Sequence, residues 1–186
     1  MRHHAVRTRA AAVAALVACL LGSGCGGGRL AVPAEDAWVR TEDDATQVSV
    51  ELPGTAEMQS QAIPTPDGGT LPANIWTVTL DGNRASMVFM VAEVAGPINL
   101  NGALDGMAAN VGGTVAQRSE ASHDGHAAID GTIELTQDDT EGSVYARVVD
   151  GGTTMVILES VGHRSDAETL AQLQERLVGS LSMPET

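Results

Sequence analysis

The sequence predicts an α+β domain: an antiparallel sheet of about six to eight strands packed with two main helices. Three observations carry this reading. Short runs of β-type apolar residues recur along the chain, either alternating with polar residues or fully apolar. Tight turn signals such as Asp81-Gly82-Asn83 and Asp150-Gly151-Gly152 separate them. Only two stretches, near residues 97–111 and 165–183, repeat their apolar residues at helical spacing. Strands joined by tight turns pair antiparallel, and the helices must bury their stripes on one or both faces of the sheet.

The chain opens with Arg2, Arg7 and Arg9 and no acid, followed by an uncharged run from Ala10 to Gly24. A basic start, an apolar centre and a small-residue end are the parts of an export signal, assigned to residues 1–24. The apolar run is shorter than the roughly 20 residues that a transmembrane helix needs. Leu21-Gly22-Ser23-Gly24-Cys25 resembles the lipobox of bacterial lipoproteins. The resemblance implies cleavage before Cys25, diacylglycerol on its sulfur, and acyl chains such as palmitate. Cys19, after Leu16-Val17-Ala18, is the alternative attachment point. It matches the lipobox better alone, but leaves only nine uncharged residues after Arg9. The protein is thus expected outside the cytoplasm, lipid-anchored to the cell membrane or the outer membrane.

Residues 25–46 read as a flexible tether, with Trp38-Val39 as a possible point of docking, and residues 47–183 as one domain. Val48, Val50 and Leu52 alternate with polar neighbours as a half-buried strand ended by Pro53-Gly54. Glu57 to Ile63 is a weaker strand, and residues 64–69 a loop of strong breakers. Ile75–Leu80 and Ala85–Val94 form a hairpin, the second strand apolar enough at Met87–Val91 to be covered on both faces. Pro97–Val111 reads as a helix capped by Asn101. Four strands follow, near residues 114–122, 126–135, 143–149 and 153–160. The last helix carries a Ser165–Glu168 capping box and a stripe of Leu170, Leu173, Leu177, Val178 and Leu181.

Without residues 1–24 the chain has 162 residues, enough for one core that buries about two thirds of its unfolded surface. No cysteine remains beyond Cys25, so no disulfide supports the fold. Seven arginines face 24 acidic residues, a formal charge of −17. Such a balance argues against nucleic acid, whose phosphates need a basic face, and against close docking on anionic lipid. Four aromatic residues offer little stacking surface.

Ser122-His123-Asp124-Gly125-His126 is the one cluster with the look of a metal site, with His123, Asp124 and His126 as candidate ligands and His163 as a distant third imidazole. Its position at a turn, where Asp-Gly is ordinary turn chemistry, favours a solvated turn. No Gly-x-Ser-x-Gly elbow, Walker loop or dinucleotide fingerprint occurs. No catalytic set and no cofactor are expected.

An opening strand Val48-Ser49-Val50-Glu51-Leu52-Pro53-Gly54, a mid-chain helix, Gly125-His126-Ala127-Ala128 leading a strand, Tyr145-Ala146-Arg147, a Gly-Gly turn and a final helix occur in that order. This resembles the Mog1/PsbP-like fold, especially small LpqN-type lipoproteins, over residues 46–182. The family's usual aromatic near the end of the last helix is missing, with Val178 or Leu181 in its place. The resemblance implies partner binding or assembly and carries over no catalytic residue. The expected function is a non-enzymatic, lipid-anchored binding or assembly module of the cell envelope, with an envelope protein as partner. Its alternatives are a carrier of an apolar small molecule or lipid in a sheet–helix groove and, third, an enzyme with an unrecognised site.

Overall fold

The computed structural model describes residues 29–64, 69–137 and 139–184. Nine strands form among them: β1 (Trp38–Glu42), β2 (Ser49–Pro53), β3 (Glu57–Pro64), β4 (Thr70–Leu80), β5 (Ala85–Glu93), β6 (Thr114–His123), β7 (His126–Gln137), β8 (Thr140–Asp150) and β9 (Thr154–His163). Two α-helices join them, α1 (Leu100–Asn110) and α2 (Ala167–Gly179), with 3-10 turns at Glu35–Ala37 and Arg164–Asp166. Strands β3 to β9 make one antiparallel sheet in the order β3-β4-β5-β9-β8-β7-β6, and β1 pairs with β2 apart from it.

Alternation along the strands divides the core between the two faces of the sheet. Met87, Phe89, Val91 and Leu158 face one side, where Leu170, Leu173 and Leu177 of α2 and Val48, Val50 and Leu52 cover them. Met90, Ile157, Ile133 and Val148 face the other, under Leu104 and Ala108 of α1. The apolar centre of β5 is therefore covered on both sides, and the stripe of α2 lies where its sequence pattern places it. Gly131 shows how closely α1 sits: a Cβ there would meet the Leu104 Cδ1 at 2.5 Å. The expected hairpin at Asp150-Gly151-Gly152 joins β8 to β9, with Gly152 at φ +82° and its N–H on the Asp150 carboxylate at 2.9 Å.

Three local expectations are corrected. Asn99 caps α1, accepting the Gly102 N–H at 3.0 Å, while Asn101 accepts instead from Arg118. The Ser165–Glu168 box does not form. A 3-10 turn moves the start of α2 to Ala167, and Asp166 stands at the N-cap with its carboxylate directed elsewhere. The opening strand β2 stays out of the main sheet and pairs with β1.

The fourth correction concerns the stretch expected as tether. Its described part, from Arg29 on, is strapped to the domain. Leu30 is 4% exposed within the core on the α2 side, and β1 pairs along the whole of β2. The pattern is hidden in the sequence because β1 lies on the surface, holding its place through backbone pairing and a few anchoring side chains.

Candidate functional site

Helix α2 packs over β9, β8 and β2 but stops short of β7 and β6, so that face of the sheet stays open beside it. The result is a cleft of about 430 Å³ between the helix and the strands. Gln117, Ser119, Asp130, Thr132, Tyr145 and Arg147 form its floor, and Ala171, Gln174, Glu175 and Val178 its helical wall.

The floor is built by register. Asp130 of β7 stands directly opposite Arg147 of β8. Arg147 donates from Nε to Asp130 Oδ1 at 2.6 Å and from Nη2 to Oδ2 at 2.7 Å, a two-pronged pair that fixes both side chains. The guanidinium is the more buried partner, 15% exposed against 40% for the carboxylate. On the wall, Gln174 is held from both ends: the Ser160 hydroxyl donates to its Oε1 at 2.9 Å, and its Nε2 donates to the Leu158 carbonyl at 3.0 Å. The cleft thus presents a fixed polar floor beside one mobile-length carboxylate side chain, Glu175. Both oxygens of Asp130 are engaged by Arg147, which suits recognition rather than proton abstraction.

A second surface groove, about 510 Å³, runs between the β1–β2 pair and α2. Arg176 closes it. Its guanidinium binds both oxygens of Glu35, lies 3.6 Å from Glu51 and stacks 4.1 Å from the centre of the Trp38 ring. These contacts fasten the N-terminal strap to α2.

One carboxylate has a strongly shifted titration. Burial pushes the Glu159 carboxyl up to about 7. It sits on the central strand β9 between Val88 and Ala146, on the α1 side of the sheet. The cleft lies on the α2 side, so Glu159 does not reach it.

The candidate metal cluster is dispersed by its hydrogen bonds. His123 and His126 pair across the β6–β7 turn, but their rings reach in different directions. His123 donates from Nε2 to the Leu181 carbonyl at 2.9 Å, and His126 from Nδ1 to the Asp150 carbonyl at 3.2 Å. A carbonyl only accepts, so each of these nitrogens carries its proton. Asp124 is exposed beside His123, at 3.5 Å. Among the described residues no three His, Cys, Asp or Glu side chains gather to hold a metal. Cys25 and Cys19 lie outside the described residues.

Sequence reasoning missed Asp130, Gln174 and most of the strap, although the expected docking at Trp38-Val39 is met by Trp38, which packs against the core on the α2 side while Val39 stays exposed. Tyr145-Ala146-Arg147 stood out as a short motif, but nothing in it points to Asp130. That pairing depends on the β7–β8 register, which only the assembled sheet shows.

No protein-family model and no curated protein matches the chain. Solved structures do. The cyanobacterial PsbP protein CyanoP of Synechocystis is similar over 88% of this chain and 99% of its own, at 12% identity and a TM-score of 0.59. PA94 of Pseudomonas aeruginosa, a protein of unknown function, matches over 80% and 99% at 12% identity, with a TM-score of 0.49. LpqN of Mycobacterium tuberculosis, involved in cell envelope biogenesis, matches over 86% and 88% at 14% identity, with a TM-score of 0.44. The likeness to CyanoP shows the fold: this is an α+β domain of the Mog1/PsbP-like kind, as the order of its elements implies.

Proposed function

We propose that this protein is a non-enzymatic binding or assembly module of the cell envelope, anchored outside the cytoplasm by lipid on Cys25, and that its cleft beside α2 receives a polar segment of an envelope protein. The observation that carries the reading is the cleft itself: an open, preformed depression whose polar groups are fixed by pairing rather than poised for chemistry. The lipobox supports the anchor, and the charge of −17 beyond the signal favours a polar partner over the bilayer surface.

A photo-crosslinking residue placed at Ser119 or Glu175 in intact cells tests the cleft, with Ala109 on the exposed side of α1 as control. Light-dependent adducts with one discrete envelope protein are expected from the two cleft positions and not from the control. Equal adducts from all three positions, or none from the cleft, would sink the reading. Fatty-acid labelling tests the anchor: it should persist in Cys19→Ser and vanish in Cys25→Ser.

A further inference from the structure

We infer that the domain presents one particular end to the bilayer: the end formed by Leu30, the β4–β5 turn and the Arg164–Asp166 turn faces the membrane, and the β6–β7 and β8–β9 turns face away. This rests on the proposed anchor at Cys25.

The argument starts from where the strap begins. The Leu30 side chain is in the core, and its backbone N–H donates to Asp166 Oδ1 at 3.1 Å. The next N–H, of Ala31, donates to Asp81 Oδ2 in the β4–β5 turn at 3.0 Å. Asp166 is itself fixed by Arg84, whose Nε and Nη2 donate to its two oxygens at 2.7 and 3.0 Å. Farther on, Glu35 is held by Arg176 and β1 by β2. The chain is therefore fastened at Leu30, not at residue 47.

Only four residues then lie between the lipid-bearing cysteine and the first fastened residue, and the five steps reach at most about 18 Å. The ends of the sheet lie farther apart than that. Strand β9 has ten residues, about 33 Å at 3.3 Å per residue, and runs from the β8–β9 turn to the fastened end. A leash of this length cannot let the domain invert and stand on its far end. Charge decides between an upright and a flat domain. Laying the domain down would bring more of its acidic surface against anionic headgroups, which repel it. The upright pose leaves the cleft and the far turns open to a partner.

The test uses the lipidated protein in vesicles of phosphatidylcholine and phosphatidylglycerol that carry an acceptor dye on the headgroups. Cys19 leaves with the signal and Cys25 holds the lipid, so one introduced cysteine takes the donor. Ser165→Cys places it at the fastened end and Thr153→Cys at the far end, both exposed. Energy transfer should be roughly twofold stronger from position 165, given about 33 Å between the ends. Inserting about 15 Gly/Ser residues between Gly28 and Arg29 should abolish the difference by lengthening the leash. Equal transfer from both positions in the uninserted protein overturns the inference, as does a difference that survives the insertion. Protein that fails to float with the vesicles overturns the lipid-anchor reading instead.

Discussion

Two partly or wholly buried carboxylates divide this molecule into regions with opposite electrostatic habits. Asp166, at the foot of α2, has a side chain only 2% exposed, yet its titration is lowered. Burial pushes it up, but the Arg84 guanidinium and the Leu30 N–H outweigh burial and hold it charged. Glu159, on the central strand, has no ion pair or hydrogen bond with the described residues, and burial alone carries it to about 7. The contrast teaches that depth does not decide the charge state of a buried acid; partners do. It also separates roles. The paired acid fastens three distant segments, while the unpaired one costs stability whenever it ionises.

The largest expected effect is at the paired acid. Asp166→Ala leaves Arg84 without its carboxylate and the Leu30 N–H without its acceptor, and should cost about 2–3 kcal/mol in a urea melt. A lowered folded titration gives stability that is present above the ordinary aspartate range and is lost as pH falls through the folded value. The deficit of Asp166→Ala should accordingly shrink in acid. A variant as stable as wild type at neutral pH would remove the fastening point from the strap.

The unpaired acid should behave in the opposite way. With its titration raised, the protonated form is favoured in the fold, so stability falls as pH rises from about 4.5 to about 7 and is level above that. Glu159→Gln should gain about 1–2 kcal/mol above neutrality, discounted for the water that its half-buried carboxylate still meets, and nothing below pH 4. Melts at the two pH values read the difference directly. A gain that is equal at both would mean that ionisation is not what destabilises this position.

Gln174 completes the series as a buried polar group without charge. Both ends of its amide are satisfied, by Ser160 and by the Leu158 carbonyl. Gln174→Ala should cost about 1 kcal/mol, independent of pH between 4 and 8. Any pH dependence would implicate a neighbouring ionisable group in its place.

These positions also show what a sequence can and cannot reveal. The sheet strands and the two helices were legible because burial imprints period two or helical spacing over many residues: the β9 apolar run and the α2 leucine stripe are long, redundant signals. The turn at Gly152 was legible because few residues adopt positive φ. The cleft was not. Asp130 and Arg147 are 17 residues apart, and only register makes them neighbours. Of the strap only the docking of Trp38 was legible; its fastening at Leu30 was not, because a single buried leucine and two backbone N–H groups leave no period. Gln174 reads as an ordinary polar residue of an amphipathic helix, and only the packed sheet turns its amide inward.

The smallest expected effect is at Ser165, where local pattern and global packing disagree. Serine followed three residues later by Glu168 has the form of a capping box, in which the serine oxygen would accept an N–H of the first turn and be worth about 1 kcal/mol. Here Ser165 lies exposed inside the 3-10 turn, and the helix begins two residues later, at Ala167. The turn is displaced because Asp166 must face inward to meet Arg84 and Leu30, which outweighs what a serine cap would contribute. Ser165→Ala should therefore change stability by less than about 0.5 kcal/mol. Its counterpart Asp166→Ala removes the constraint that displaces the turn. In that background serine is free to become the cap, so Ser165→Ala should then cost more than it does alone. A double-mutant cycle from urea melts reads the coupling. Additive effects would show that the strap and the helix start are independent, and a full-sized loss from Ser165→Ala alone would restore the capping box.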